Sequence, residues 1–411
     1  MMKQRLCALL LCLPVLLTAC GGPGYCADPL SLGGRTVPAE AADLNGPGAL
    51  AATDFAVALL QSADGGGNVL LSPISVLSAL AMAANGAAGE TRAQLEDVLG
   101  LPAEEWNIYL QTLADALPED KEARCCLANS VWFRDGEDHL MIEQAFLTIC
   151  SDHYGADLFR APFDGSTLKD INAWTADRTD GLIPAILDRL PGSAVIYLIN
   201  ALAFDGRWEN VYRENQIHDG TFTAAGGEEQ RSRMMYSREY MFLEDDLATG
   251  FLKYYEGRTY AFAALLPKEG VSLEEYMVFL TGAGLRDTLT SARPEAVETA
   301  IPQFTVQYQA ELSGALSGMG MADAFNAARA DFSAMGSSPD GPLYISRVLH
   351  STALSLDAQG TRAGAATAVE MDAGADQPSR NVYLDRPFLY LLIDCQAELP
   401  LFIGAVRSLE P

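Results

Sequence analysis

The stretch Gly360-Thr361-Arg362-Ala363-Gly364-Ala365-Ala366-Thr367-Ala368 contains neither proline nor a bulky apolar side chain, and the next proline is Pro378. In isolation it reads as an Ala/Gly-rich surface loop. In an extended backbone it would alternate cleanly: Thr361, Ala363, Ala365 and Thr367 on one face, Arg362, Gly364, Ala366 and Ala368 on the other. Gly360 offers a pivot at its start, since glycine adopts backbone angles closed to other residues.

Outward from this stretch, Leu343 to Leu356 reads as a long extended segment leading into it. Val195 to Phe204 is almost wholly apolar, broken only by Asn200, which suits a central strand covered on both faces. Ala128–Phe133, Tyr260–Leu266, Phe388–Ile393 and Phe402–Val406 read as further strands. The early chain is helical. Ser72-Pro73 suits a helix start before Ser75–Ala84. Gly89–Leu99 ends at Gly100 and Pro102, and Ala103–Leu117 follows. Helices come first and strands dominate later, without βαβ alternation, which predicts an α+β fold with large mixed or antiparallel sheets.

At the N-terminus, Lys3 and Arg5 precede an apolar run, Leu6–Leu17, too short to span a bilayer. It ends in Leu17-Thr18-Ala19-Cys20-Gly21. This resembles a bacterial lipoprotein signal over residues 1–19, with Cys20 as the lipidated residue; the alternative is an ordinary secretory signal. The expected location is extracytoplasmic, facing outward from the cell envelope on a lipid anchor. Residues 20–48, rich in Gly, Pro and Ala, read as a flexible tether, and residues 49–411 as one domain with no second linker.

The chain has 411 residues and a formal net charge of −27, and loss of Lys3 and Arg5 would make it more acidic. Such a surface repels phosphates and anionic lipid, so nucleic acid is excluded as a partner and membrane attachment has to be covalent. Beyond the signal, Cys26, Cys125, Cys126, Cys150 and Cys395 have no metal-ligand or disulfide-framework spacing. They read as small buried apolar residues, with one disulfide left open. Four histidines, His139, His153, His218 and His350, accompany no nucleophile elbow, HExxH or phosphate loop. Gly65-Gly66-Gly67 lacks the lysine a phosphate cradle needs. Neither an enzyme nor a cofactor or metal is expected.

Several segments, in order, resemble the serpin family over about residues 50 to 410. They are Asn68-Val69-Leu70-Leu71-Ser72-Pro73-Ile74-Ser75, Ala128-Asn129-Ser130-Val131-Trp132-Phe133, Ile171-Asn172-Ala173-Trp174, Asn200-Ala201 with Phe204, Gly206 and Trp208, Ile301-Pro302-Gln303-Phe304, Gly320-Met321-Ala322-Asp323-Ala324-Phe325 and Asp385-Arg386-Pro387-Phe388. The resemblance implies three β-sheets, about nine helices and an exposed reactive-centre loop. It also implies a suicide inhibitor of serine proteases, whose cleaved loop inserts as a strand into the main sheet and traps the acylated protease. Serpin loop insertion is among the standard examples of strand addition and released strain.

On this resemblance Gly360, Thr361, Arg362, Ala363, Gly364, Ala365, Ala366 and Thr367 form the insertion hinge. Its small, proline-free residues can enter a central strand, where every N–H is needed. Ala358-Gln359 replaces the family's acidic pair, and Arg362 its usual Glu. Counting forward from the hinge places the scissile residue at Gly374; counting back from Pro387 places it near Asp376. Ala373, Gly374 and Ala375 suit an elastase-like or subtilisin-like protease, with a cysteine protease as a second class. Arg380 would suit a trypsin-like one but lies too far along. Ser72, Ser75, Asn200 and His350 match the family's shutter, and Trp208 the residue where the loop first enters. The partner is the target protease, and a monomer is expected. The competing expectation is a serpin-fold binding module cleaved without trapping.

Overall fold

A computed structural model describes residues 25–32, 40–117, 123–134, 140–191, 194–361 and 380–409. The main sheet has seven strands, in the order β1 (Asp28–Leu30), β5 (Asp157–Ala161), β3 (Ala123–Arg134), β6 (Ile196–Arg207), β16 (Gly360–Thr361), β15 (Leu349–Leu356) and β13 (Phe304–Glu311). A second sheet orders β2 (Val69–Leu71), β19 (Leu399–Val406), β18 (Phe388–Asp394), β11 (Tyr260–Pro267), β10 (Ala248–Tyr254) and β9 (Met241–Glu244). A third holds β17 (Arg380–Tyr383), β12 (Val297–Pro302), β8 (Glu229–Glu239) and β7 (Ile217–Thr223), and a minor pair joins β4 (Met141–Ile142) to β14 (Gly336–Ser337). The α+β expectation with three large sheets therefore holds, with the β4–β14 pair as an addition.

The helices are α1 (Pro47–Ala63), α2 (Pro73–Gly86), α3 (Gly89–Leu99), α4 (Ala103–Ala116), α5 (Gln144–Tyr154), α6 (Gly165–Arg178), α7 (Leu273–Phe279), α8 (Gly282–Thr290) and the short α9 (Ser313–Leu316). Pro73 stands at the first turn of α2, where its missing N–H costs nothing. α2 is buried nearly all round, from Ile74 to Gly86, because it lies between the main and second sheets. The strands β11, β18 and β19 are buried at every position, as continuous apolar runs in a covered sheet should be.

On the opposite face of the main sheet, α6 covers a smaller core of Trp132, Phe159, Phe163, Ile171, Trp174 and Ile199. Trp132 stacks on Phe159 with ring centroids 4.0 Å apart.

Three expectations need correction. The span 20–48 is not wholly a tether. Tyr25–Leu30 docks on β5, and α1 begins at Pro47, with Gly48 packed so closely on the Tyr109 ring that no side chain fits. The extended segment Leu343–Leu356 is paired only from Leu349, because its partner β13 turns away after Glu311 into α9. Among the five cysteines, all free, Cys125 and Cys150 are buried but Cys26 is exposed.

Candidate functional site: a main sheet parted between two strands

β6 pairs with β3 from Ile196 to Gly206, and β15 pairs with β13. Between β6 and β15 the described residues supply only β16. Gly360 and Thr361 pair antiparallel with Arg207 and Gly206 on one side, and Thr361 with Leu356 on the other. Gly360 sits at φ 156°, and a Cβ there would collide with the Gly206 carbonyl oxygen, so only glycine lets the chain reverse here. Thr361 is 2% exposed, and its hydroxyl lies 2.6 Å from the Tyr255 hydroxyl.

The turn into β16 is held by the segment after β6. Trp208 donates its indole N–H to the Asp357 carbonyl at 2.9 Å and its backbone N–H to that of Gln359 at 2.9 Å. The Tyr212 N–H reaches the Ala358 carbonyl at 2.9 Å. Asp357 folds its carboxylate back to accept from the Gln359 N–H at 2.7 Å. Trp208 stacks on Tyr255 at 4.4 Å. The Lys253 ammonium lies against the Tyr212 and Trp208 rings, 4.4 Å and 5.3 Å from their centroids. Burial opposes the Lys253 charge most strongly, but Glu239, 2.8 Å away, and Tyr212 together outweigh it and hold the ammonium above its ordinary pKa. Glu239 in turn accepts from Ser237 at 2.6 Å.

Further from this turn, a cavity of about 130 Å³ separates the two strands. Ser75, Val76 and Ala79 of α2 form its floor, Ile196–Asn200 one wall, and Leu343–His350 the other. The four shutter residues do not form one network across it. On the β15 side, the Ser72 N–H donates to His350 Nε2 at 3.1 Å, and Thr352 donates to the Leu70 carbonyl at 2.7 Å. Burial lowers the His350 pKa to about 4, so the ring is neutral. On the β6 side, Asn200 donates to Asn129 Oδ1 at 2.6 Å, and Asn129 donates to the Tyr154 carbonyl at 2.9 Å. The gap between β6 and β15 keeps the halves apart. Ser72 Oγ and Asn200 Oδ1 are buried and lack hydrogen-bond partners among the described residues.

The structure thus brings Gly360, Thr361 and Trp208 together at one end of the gap, and sets Ser72, Ser75 and His350 across from Asn200 further along it. Arg362, Ala363, Gly364, Ala365, Ala366, Thr367, Ala373, Gly374, Ala375, Asp376 and Cys20 lie outside the described residues. Sequence reading missed Asn129, Tyr255, Lys253 and Glu239. Only Lys253 carried a signal, as a lone charge in the apolar run Phe251-Leu252-Lys253-Tyr254-Tyr255.

Comparison with known proteins agrees with this geometry. The family model described as Serpin (serine protease inhibitor) matches residues 50–409. The leukocyte elastase inhibitor of Equus caballus is 30% identical over 378 residues, covering 87% of this chain and 98% of that protein. A serpin-like protein of Thermococcus kodakarensis is 28% identical, covering 83% of this chain and 80% of its own length. Among solved structures, the thermophilic serpin tengpin in its native state matches with TM-score 0.87 and 39% identity, over 93% of this chain and 100% of tengpin. Its latent state matches less well, at TM-score 0.81 and 38% identity over 90% and 100% of the two chains. Thyroxine-binding globulin complexed with thyroxine, at 23% identity and TM-score 0.75, covering 88% of this chain and 99% of its own, shares the fold alone. With a family match spanning most of its length and a main sheet parted between β6 and β15, this chain belongs to the serpin family.

Proposed function

We propose that the chain is a lipid-anchored suicide inhibitor of a serine protease, working by insertion of its cleaved loop between β6 and β15. The observation that carries the reading is the register at β16. Thr361 is paired with Gly206 and with Leu356, antiparallel to both strands. Continued residue by residue, that register brings Thr367 between Asn200 and His350. Cross-strand partners share a face of a sheet, so the Thr367 hydroxyl would arrive beside Asn200 Oδ1, which has no partner among the described residues.

The rest of the segment has the same logic. Thr361, Ala363, Ala365, Thr367, Val369, Met371 and Ala373 would all face the core, and Arg362, Glu370 and Asp372 the outer side. This alternation extends well past the hinge and is what a half-buried strand requires. A binding loop with no insertion step has no need of it.

In the proposed reaction the protease's serine oxygen bonds to the carbonyl carbon of the scissile residue, Gly374 or Asp376. The serine's proton passes by way of the protease's own base to the leaving nitrogen, the peptide C–N bond breaks, and the new amine leaves with the chain that continues into β17. The acylated end is then free to enter the sheet, carrying the protease with it. The small residues Ala373, Gly374 and Ala375 favour an elastase-like or subtilisin-like target, and the elastase inhibitor among the relatives supports that choice. A cysteine protease would form the equivalent thioester. Cys20 carries the lipid, and the protein works outside the cytoplasm, in the cell envelope, without cofactor.

The test is incubation with elastase-like, subtilisin-like and trypsin-like proteases, followed by denaturing gels and mass spectrometry of the released C-terminal fragment. An SDS-stable adduct with a cut between Ala373 and Gln377 is expected. Clean cleavage with full protease activity would refute trapping and leave a binding module.

A further inference from the structure

We propose that the N-terminal segment Tyr25–Leu30 fixes the membrane anchor at the pole of the main sheet opposite the reactive loop, so that a trapped protease is carried onto the bilayer surface. This rests on the lipid-anchored trapping reading above and adds to it an orientation and a partner surface.

Tyr25–Leu30 is built into the domain. β1 pairs antiparallel with β5, Asp28 opposite Arg160 and Leu30 opposite Leu158. One carboxylate oxygen of Asp170, on α6, accepts the N–H groups of both Cys26, at 2.7 Å, and Ala27, at 2.9 Å. Ala27 is buried, and Tyr25 packs edge-on against Trp132 and Phe159 at 6.4 and 5.6 Å. Any pull on the anchor is therefore delivered to this corner of the sheet.

The register locates the corner. Arg160 pairs with Phe133, and Phe133 with Ile196, so Asp28 stands level with the first residue of β6. The loop leaves from the other end of β6, at Gly206 and Arg207. Those ends are ten residues apart, roughly 33 Å along a strand. In the uncleaved protein the chain thus passes Thr361 at the pole opposite the anchor. In the inserted state the continued register sets Met371 opposite Ile196, and the scissile end just beyond it. The protease then arrives at the pole where the anchor enters, displaced sideways by four strand spacings, roughly 19 Å.

From Cys20 to Tyr25 the chain reaches at most about 18 Å. A protease of about 220 residues is roughly 44 Å across, from the size scaling of compact domains. It cannot fit between that pole and the bilayer, so the complex has to lie over with the protease against the lipid.

The experiment uses the full lipidated chain in phosphatidylcholine vesicles with a head-group-labelled quencher lipid. A fluorescent non-canonical residue replaces Lys169, exposed on α6 beside Asp170, or Asn215, exposed beyond the far end of β6. Quenching at 169 is expected to exceed that at 215 several-fold before any protease is added. After adduct formation, a fluorophore on the protease should become quenched, and about 60 Gly/Ser residues inserted after Gly24, with a root-mean-square span near the protease diameter, should remove that quenching. Equal quenching at 169 and 215, or an adduct whose protease remains unquenched, overturns the inference alone. Failure of the chain to float with vesicles, or of an adduct to form in detergent, overturns the anchoring or trapping reading, and this inference with it.

Discussion

Replacing Thr367 by Val tests the insertion register at one atom pair. Val keeps the shape and removes the hydroxyl. In the inserted state that hydroxyl would lie between Asn200 and His350, beside a buried Asn200 oxygen that has no partner among the described residues. A buried polar group left without its hydrogen bond costs about 1–3 kcal/mol. The penalty should fall on the loop-cleaved form only, because in the proposed mechanism residue 367 enters the sheet only after cleavage. With an unfolding entropy of roughly 0.8 kcal/mol per kelvin for a domain of this size, it amounts to a Tm shift of about 1–4 °C. Cleaved and intact protein should be compared by guanidinium midpoints, checking that the slope stays constant. The expected result is a lower midpoint for cleaved T367V, an unchanged one for intact T367V, and wild-type behaviour for Thr367→Ser. Equal loss in both forms, or none in the cleaved form, would show that residue 367 does not come to rest between β6 and β15.

Ala363→Pro removes a ladder N–H in the entering segment and should abolish the SDS-stable adduct while leaving loop cleavage intact; an adduct at wild-type yield would refute insertion. Lys253→Met strands the Glu239 carboxylate in a buried site and should destabilise the intact protein by about 3–5 kcal/mol in denaturant titration. The double variant Lys253→Met, Glu239→Gln should recover most of that, and its failure to do so would mean that the pair is not the strut under the Trp208–Tyr212 turn. His350 is held neutral, with its pKa depressed from 6.5 to about 4. The unfolded state therefore binds the extra proton between those values, so the stability His350 contributes is intact above pH 6.5 and lost as pH falls toward 4, by on the order of 3 kcal/mol. His350→Gln should flatten that part of the pH–stability curve, and an unchanged slope would place the titrating group elsewhere.

Much of the fold was legible because the relevant signals are local. Gly89–Leu99 begins and ends as read, since Gly100 takes the left-handed conformation at its C-terminus. The apolar run around Asn200 gave a central strand because both of its faces are covered. Two misreadings have non-local causes. The Gly- and Pro-rich span 20–48 has the composition of a tether, but Tyr25 finds an aromatic platform, and Asp170 a pair of backbone donors, on elements over a hundred residues away. The strand Leu343–Leu356 was read too long because pairing depends on a partner: its sequence favours extension throughout, while β13 ends opposite Leu349. Likewise, Lys253 stands out only as a lone charge in an apolar run and Glu239 not at all, and only β8 and β10 meeting beneath Trp208 makes them a buried pair.

The division of the shutter into two halves bears on how the proposed insertion would proceed. A sheet whose strands β6 and β15 met directly would close the cavity above α2. Instead, Gly360 and Thr361 occupy the head of the gap, with Gly360 so close to the Gly206 carbonyl that no side chain fits. Each further residue admitted would pair backbone groups on two strands and fill part of the cavity, so the gain accumulates along the strand. The resistance lies at the start, where Trp208 and Tyr212 hold the carbonyls of residues 357–359 and Lys253 holds the two rings. A barrier confined to the entrance and a gain spread along the track produce a slow first step and a committed remainder. Substitutions at Trp208 or Lys253 should therefore change how often insertion begins, and substitutions from Ala365 to Met371 how stable the end state is.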